Sequence, residues 1–346
     1  FPQVVLDGTK EALDLGKNIY TSSYWNFNLR EAIAKKQNSF YNQNITADNV
    51  LVSSGATGAF YTTAMTLLNE GDEVILFEPY YGYHVSTLES IGCKIKFIKT
   101  LPPEYTIDFS YLSSQVTDKT KAILICNPSN PSGKVYTKNE LYNLSEIVNK
   151  HDLVLFSDEM YEHFIYDDLE YTSALSIEGL NNKTVVISGF SKIYSVTGWR
   201  LGYAISTKEV IDSASSLNDL VYVCPPAPLQ YGVLKGLREL SKSYYSNVAN
   251  EHQIKRDKFV KALNDVGLKA EYIKGAYYVL ADISMIEGKD DQEKVINLLE
   301  ITGIATVPAR AFYSDAKDLN LARFCFSKRD IELDEAIERL QLIIDC

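Results

Sequence analysis

Apolar and polar positions alternate with two different periods along residues 47–205, which predicts a series of strands and helices. Short apolar segments rich in β-branched and aromatic residues are typical of buried strands, and longer segments with helical spacing separate them. The predicted strands are "NVLVSS", "EVILFEP", "KIKFIKT", "KAILICNP", "LVLFSDE", "TVVISGF" and "LGYAIS". Because continuous apolar strands are buried on both faces, we expect an α/β fold whose mostly parallel seven-stranded sheet is sandwiched by helices.

The pattern changes after Pro228, where a long segment with helical spacing predicts one helix or a pair of helices. A smaller α+β domain is predicted beyond it, from the strand-like segments "GAYYVLADIS", "IATVPARAF" and "LARFCFSK" and the amphipathic helices "DQEKVINLLEITG" and "LDEAIERLQLII". We therefore predict a large domain of residues 25–235. Residues 1–24, as an N-terminal arm, and 236–346 are predicted to form the small domain.

Charge and composition narrow the class of protein. The 346 residues carry a formal net charge of -11, which argues against nucleic-acid partners and against electrostatic binding to an anionic membrane. No apolar segment approaches the roughly 20 residues of a transmembrane helix, so we expect a soluble cytoplasmic protein. The cysteines do not have metal-ligand spacing, which predicts reduced core residues and no metal site. They are Cys93, Cys126, Cys224, Cys325 and Cys346.

Chemically distinctive residues follow the predicted strands, at the sheet edge where ligands bind in open α/β folds. Gly55, Ala56 and Thr57 open a predicted helix, where backbone N–H groups can bind a phosphate. A tight strand-to-helix turn with Thr57 as the cap is the simpler interpretation of that segment alone. Arg200 adds a guanidinium suited to phosphate.

A lysine at the end of another apolar strand suggests covalent chemistry. Lys192 near a cation would have a lowered pKa and could form a Schiff base with a carbonyl compound. Asp158, after a neighbouring strand, could hold a protonated ring nitrogen and so make a pyridine ring an electron acceptor. The alternatives are a lysine that reaches solvent and an aspartate that caps a helix. Tyr81 and Tyr161 could equally be packing residues in a chain with 24 tyrosines.

Four motifs in order show that the chain resembles fold-type I pyridoxal-5′-phosphate (PLP) enzymes, specifically class I/II aminotransferases. They are "NPSNPSGKVYT", "LFSDEMYEHF", "SGFSKIYSVTGWRLGY" and "LARFCFSK". Each motif alone is weak evidence, but the four occur in the family's order with family-like spacings, and the resemblance covers nearly the whole chain. The resemblance implies an enzyme that uses pyridoxal 5′-phosphate to move an amino group between an amino acid and a 2-oxo acid.

The resemblance also implies a role for each candidate residue. Lys192 would form the Schiff base with the cofactor and move the substrate proton, and Asp158 would pair with the ring nitrogen. The phenolic oxygen of the cofactor would be bound by Tyr161 and Asn130. The phosphate would be bound by Gly55, Ala56, Thr57, Arg200 and Ser191, while Tyr81 would stack on the ring.

Two further residues are implied by the same resemblance. Arg323, together with Asn130, would bind the α-carboxylate of the substrate. Tyr20 would reach the phosphate of a partner subunit, so the resemblance implies a homodimer in which two chains share their sites.

The chain departs from the family pattern at positions that concern substrate specificity and, at Gly189, phosphate binding. Trp25 stands where glycine is common, Gly189 stands where a serine often binds phosphate, and "VPARAF" carries Ala309 and Arg310 where the family has small residues. We expect a large neutral or aromatic substrate if Arg310 faces solvent. A guanidinium directed into the site would instead favour aspartate or glutamate.

Three functions are compatible with these motifs. The leading hypothesis is a ping-pong aminotransferase, in which an amino acid is converted before a second oxo acid enters. A PLP-dependent β-lyase, such as a carbon–sulfur lyase, would use the same residues. A non-catalytic domain that senses the cofactor for a transcription regulator is disfavoured, because no basic DNA-binding segment precedes Phe1.

Overall fold

A seven-stranded sheet forms the centre of the larger part of the molecule. The computed structural model describes residues 1–21, 26–315 and 319–344. The strand order is β1-β7-β6-β5-β4-β2-β3, and β7 alone runs antiparallel to its neighbours. The seven predicted strands are confirmed as β1 (Val50–Ser54), β2 (Glu73–Glu78), β3 (Lys94–Lys99), β4 (Thr120–Cys126), β5 (Val154–Asp158), β6 (Thr184–Gly189) and β7 (Leu201–Ile205).

Helices cover both faces of this sheet, which explains why its inner strands are almost continuously apolar, whereas the edge strand β3 carries three lysines and is only partly buried. In β2, Leu76 is buried in one apolar cluster, while its neighbour Ile75 is buried in a second cluster on the other face. The helices of this part are α1 (Gln3–Asp14), α2 (Phe27–Tyr41), α3 (Gly55–Leu67), α4 (Gly82–Ile91), α5 (Phe109–Gln115), α6 (Lys138–Lys150), α7 (Lys208–Tyr222) and α8 (Ala227–Glu239).

A second, antiparallel sheet with its own apolar core forms the predicted α+β unit. Its strand order is β10-β11-β9-β8. Phe324 and Leu298 are fully buried in this core, where strands meet covering helices. The elements are α9 (Lys242–Asp265), β8 (Lys269–Ala270), β9 (Tyr278–Asp282), α10 (Asp291–Thr302), β10 (Val307–Pro308), β11 (Leu321–Cys325) and α11 (Asp330–Leu340).

The long segment with helical spacing around Pro228 forms two helices, α8 and α9. Residues 240–241 connect them. The N-terminal helix α1 packs closely against α8. A Cβ atom on Gly8 would lie 2.8 Å from Cβ of Lys235, and one on Gly232 would lie 2.7 Å from the carbonyl oxygen of Val5. Glycine at both positions therefore allows the close contact of the two helices. The division of the chain between residues 235 and 236 stays a prediction.

The described helices do not meet the requirements of a membrane span. None of them, in the three described ranges, is long and apolar enough to cross a lipid bilayer.

Candidate active site

A cavity of about 400 Å³ opens where the ends of several strands of the large sheet meet. Strand ends that are far apart in sequence supply its walls, as expected for an open α/β sheet. Most of the predicted site residues lie together in its lining, namely Ala56, Thr57, Tyr81, Asn130, Asp158, Tyr161, Ser191, Lys192 and Arg200.

The turn between β1 and α3 forms a cradle beside Arg200. Gly55 has a φ of +75°, and a Cβ atom there would lie 2.4 Å from Nη2 of Arg200. Only glycine therefore permits this backbone conformation together with this position of the guanidinium. The N-cap of α3 is Ser54, without a side-chain hydrogen bond, so Thr57 is not the cap of this helix. The free N–H groups of the first turn and the guanidinium can bind one anion together.

The carboxylate of Asp158 is fixed on two sides. Its Oδ2 lies 2.9 Å from Nε2 of His84, and its Oδ1 accepts a hydrogen bond of 3.1 Å from the backbone N–H of Met160. The His84 ring packs edge-on against Phe60 and Tyr81, with centroid distances of 5.2 and 5.3 Å. These contacts orient Asp158 while it still lines the cavity.

His84 is a site residue that the sequence analysis missed. It lies on α4, three residues after Tyr81, and also lines the cavity. The spacing of three residues brings both side chains to one side of the first helical turn. The spacing from Tyr81 is the sequence signal that could have placed His84 at the site. It could not identify the partner of His84, which lies on β5, 74 residues away.

Lys192 is half-buried in the cavity lining, and its pKa is lowered. Burial is the main cause, and the charges of Arg200 and Arg323 lower the pKa further, while Cys325 and Asp158 oppose them. Because the charged form is disfavoured, a larger fraction of this amine is neutral and nucleophilic than for an exposed lysine. A lysine that merely reaches solvent does not fit this environment.

Tyr161 is buried, with its ring at right angles to Tyr277 at a centroid distance of 5.1 Å. Burial raises the pKa of its hydroxyl well above the ordinary value, so the group stays protonated and can donate a hydrogen bond. Burial likewise raises the pKa of Tyr81, whose ring lines the cavity beside His84.

Arg323 is held between two aromatic rings. Its guanidinium carbon lies 4.2 Å from the ring centroid of Tyr278 and 4.9 Å from that of Phe312. Nη1 donates a 2.9 Å hydrogen bond to Oδ1 of Asn130, a buried residue of the cavity lining. The rings and the amide fix the guanidinium plane, which leaves further N–H groups of Arg323 for an anionic ligand.

Steric contact explains the departure from the family pattern at Gly189. A Cβ atom there would lie 2.9 Å from Cα of Gly202 and 3.0 Å from the carbonyl oxygen of Leu201. No serine fits at this position without a shift of the neighbouring strand. Ser191, two residues further on, lies in the cavity lining instead.

Two further positions singled out in the sequence are Tyr20 and Trp25. Tyr20 is 78% exposed and does not line the cavity. Trp25, whose expected role concerned specificity, lies outside the described residues.

The guanidinium of Arg310 neither points freely into solvent nor faces the site, the two alternatives that the sequence left open. Its guanidinium pairs with Asp290 at 3.1 Å and also with Asp291, which is 1% exposed at the start of α10. Its backbone N–H donates to Asp291 as well, at 2.9 Å. Two carboxylates therefore hold Arg310, which is neither free in solvent nor part of the cavity lining.

The described cysteines belong to neither a disulfide bond nor a metal site. Cys93, Cys126, Cys224 and Cys325 are free thiols, and Cys346 lies outside the described residues. In the described part of the chain, no three His, Cys, Asp or Glu side chains converge as metal ligands would.

The donor set of the cavity fits pyridoxal 5′-phosphate. The cradle at Gly55 and Arg200 matches a phosphate, the amine of Lys192 matches an aldehyde, and the carboxylate of Asp158 matches a protonated ring nitrogen. A Cβ atom on Gly202 would lie 2.2 Å from the backbone nitrogen of Ala56, so glycine keeps this cradle next to β7.

Comparison with known proteins agrees with the fold. The family model "Aminotransferase class I and II" matches residues 2–340. The chain is 32% identical to an aspartate aminotransferase of Pyrococcus abyssi, over 99% of this chain and 88% of that protein. It is 29% identical to a kynurenine–oxoglutarate transaminase of Dictyostelium discoideum, over 98% of this chain and 87% of that protein.

A solved structure from Escherichia coli, described as having a methionine aminotransferase function, superposes with a TM-score of 0.94 at 29% identity, over 98% of this chain and 89% of that chain. The fold and the site thus define an α/β enzyme of the PLP-dependent type. The chain belongs to the class I and II aminotransferases, and its cofactor is pyridoxal 5′-phosphate.

Proposed function

We propose that this aminotransferase moves the amino group of a large neutral or aromatic L-amino acid to a 2-oxo acid by a ping-pong mechanism. The observation that carries the substrate preference is the pairing of Arg310 with Asp290 and Asp291. A substrate with a second carboxylate needs a second cation. Within the described residues, the cations that line the cavity are Lys192 and Arg200, both of which the cofactor would use.

The cofactor, when bound, supplies an aldehyde and an electron-withdrawing ring. The side chains would supply the covalent link, the proton transfer and the protonation of the ring. Lys192 Nζ would form the covalent link and then, once released, carry the proton to and from the substrate α-carbon. Asp158 would keep a proton on the ring nitrogen, with His84 holding the carboxylate at 2.9 Å.

Other residues would orient the cofactor. The phosphate would be bound by the N–H groups at the start of α3 and by Arg200, with Ser191 as a further donor. Tyr161 and the amide nitrogen of Asn130 would donate to the phenolic oxygen, while Tyr81 would stack on the ring. These assignments rest on the residues that share the cavity lining.

Arg323 would bind the α-carboxylate of every substrate. Its N–H groups can bind two carboxylate oxygens at once, and the Asn130 contact of 2.9 Å holds the guanidinium in one orientation. Binding the constant part of the substrate at Arg323 leaves the side chain to be selected by the residues that line the cavity.

Aromatic residues favour a large neutral side chain in the rest of the cavity. Besides Tyr81, which would stack on the cofactor, Phe60 and Tyr83 are part of its lining. Each substrate methylene that these rings remove from water contributes about 0.8 kcal/mol. Two of the relatives are named for substrates with large neutral side chains, kynurenine and methionine, and one is named for aspartate.

A half-reaction screen tests the proposal. The purified holoenzyme is mixed with one amino acid at a time, without an oxo acid, and the absorbance of the bound cofactor is followed. We expect conversion with methionine, glutamine or an aromatic amino acid, followed by recovery when 2-oxoglutarate is added. Conversion by aspartate alone would contradict the substrate class. Release of pyruvate and ammonia from a β-substituted amino acid, without an acceptor, would identify a β-lyase.

Replacing Arg310 should change the half-reaction little. Because Asp290 and Asp291 already neutralise the guanidinium, we expect Arg310→Ala to keep rates with neutral amino acids within about threefold, less than 1 kcal/mol of barrier. Stopped-flow absorbance measures these rates. Arg323→Ala is the contrast, because it should raise KM for every amino acid. A strong preference for aspartate that disappears in Arg310→Ala would refute the neutral-substrate assignment.

The homodimer is part of the same proposal. Exposed apolar side chains lie around the N-terminal segment, where Leu15 is 66%, Ile19 is 82% and Tyr20 is 78% exposed. Such side chains are typical of surfaces that another chain covers. In the dimer, Tyr20 would contact the phosphate in the partner's site. The cytoplasmic location stays a prediction.

Mixing two inactive variants tests the shared site. Lys192→Ala lacks the amine in its own cavity, and Tyr20→Ala lacks the residue given to the partner. In a mixed dimer, one site has both intact residues, so we expect activity to return in about one site per heterodimer. Assays after verified subunit exchange measure this. A monomer in sedimentation, or no recovery after exchange, would contradict the shared site.

A further inference from the structure

A buried ion pair lies close to the candidate active site but outside its cavity. Lys36 Nζ on α2 lies 2.7 Å from Oε1 of Glu162, and the two side chains are only 8% and 3% exposed. Removing two charges from water is costly, so a buried ion pair is weak evidence of stabilisation by itself. The hydrogen bonds that Glu162 accepts from neighbouring elements indicate a second role for the pair.

Glu162 accepts hydrogen bonds from three separate elements. From α2, it binds Lys36 at 2.7 Å and Gln37 Nε2 at 3.0 Å. From β6, Ser188 Oγ donates at 3.0 Å, and from β7, Tyr203 OH donates at 3.2 Å. A carboxylate can accept from all four donors, whereas a glutamine amide would oppose some of them with its own N–H groups.

Glu162 and two of its partners, Ser188 and Tyr203, lie within four residues of the proposed cofactor contacts. Glu162 itself follows Tyr161 directly, and Asp158 lies four residues before it. Ser188 lies four residues before Lys192, and Tyr203 lies three residues after Arg200. One carboxylate therefore joins the three segments that supply the proposed covalent, ring and phosphate contacts.

The charge of Glu162 is maintained in this environment. Burial alone would raise the pKa of its carboxyl, but the charge of Lys36 and the hydrogen bonds to the carboxylate hold the pKa below its usual range. The group is therefore a carboxylate, with acceptors only, at any pH at which the enzyme would work.

We propose that Glu162 is a positioning residue of the aminotransferase. Its carboxylate fixes the relative positions of three segments around the cofactor: the Asp158–Tyr161 turn, the segment with Lys192 and the segment with Arg200. The proposal rests on the proposed function, because it assumes the cofactor contacts of those four residues. Its distinctive consequence is a change in the orientation of the bound cofactor and in its affinity, beyond any change in folding stability.

Two substitutions test the proposal at different strengths. Glu162→Gln removes the charge and one acceptor oxygen, whereas Tyr203→Phe removes one donor and keeps the ring. Tyr166→Phe is the matched control, since Tyr166 and Tyr203 are both 1% exposed. The Tyr166 hydroxyl donates to the carbonyl oxygen of Ala276, outside the Glu162 contacts.

Three quantities are measured for each purified variant: the dissociation constant of PLP from the apoenzyme, the visible circular dichroism of the bound cofactor, and kcat with the best amino acid of the screen. Thermal unfolding is recorded beside them. We expect Glu162→Gln to weaken PLP binding by about tenfold or more and to alter the circular dichroism band. Tyr203→Phe should change both in the same direction, by about threefold in affinity, and Tyr166→Phe should change neither.

The outcomes separate this inference from the function on which it rests. A lower melting temperature with unchanged PLP affinity, circular dichroism and kcat would overturn the inference, because Glu162 would then only stabilise the fold. If Glu162→Gln does not fold, equal behaviour of Tyr203→Phe and Tyr166→Phe overturns it. Failure of the wild-type apoenzyme to bind PLP would overturn the proposed function as well.

Discussion

Lys192→Ala should bind pyridoxal 5′-phosphate only non-covalently and should lose turnover with every amino acid. The remaining cavity keeps the phosphate cradle and Asp158, so the cofactor still has binding contacts. The amine that forms the covalent link and moves the substrate proton is absent, however. Absorbance of the bound cofactor and single-turnover kinetics measure both effects.

Two controls make the Lys192 result specific. Borohydride reduction of the wild-type holoenzyme, followed by peptide mapping, should place the cofactor on the peptide that contains Lys192. A small primary amine such as ethylamine should restore part of the activity of Lys192→Ala, because it replaces the missing base. Cofactor found on another lysine would show that the assignment is wrong.

Asp158→Ala should keep the fold and reduce kcat by about a thousandfold, which corresponds to about 4 kcal/mol of barrier. Without a carboxylate beside it, the ring nitrogen loses its proton and the ring becomes a poor electron acceptor. Steady-state kinetics measure the loss, and far-ultraviolet circular dichroism reports the fold. Asp158→Asn, which has the same shape without the charge, should lose nearly as much.

His84→Ala serves as the graded comparison for Asp158. Its loss leaves the carboxylate in place but removes the contact of 2.9 Å that holds it. We expect a smaller reduction in kcat, about tenfold, since orientation and not charge is affected. If Asp158→Ala itself lost less than about tenfold, or 1.4 kcal/mol, Asp158 would not contact the ring nitrogen.

The large sheet could be predicted from sequence because its strands are buried on both faces. Apolar residues such as Ile75 and Leu76 occupy opposite faces, and both are covered by helices. The cavity lining was predictable for a related reason. Parallel strands present their carboxyl ends at one edge, so Asp158 and Lys192 had to lie near each other.

Contacts that join distant elements through side chains were beyond the sequence analysis. His84 meets Asp158 across 74 residues, and Lys36 meets Glu162 across 126. The pairing of Arg310 was missed because its partners open a helix 19 residues earlier in the chain. Such pairs depend on the relative rotation and register of packed elements, which apolar periodicity does not specify.

The antiparallel direction of β7 has a topological consequence for Arg200. In a wholly parallel sheet, a residue that precedes a strand lies at the edge opposite the ligand, and five residues of strand separate the two edges by about 17 Å. Here β7 runs against β1 and β6, so Leu201 pairs with Ser54 and the beginning of β7 meets their ends. One reversed strand thus makes the connection before β7, as well as the connections after the parallel strands, available for binding. If β7 ran in the opposite direction, the guanidinium would lie at the other end of the strand, at the sheet edge opposite the cavity.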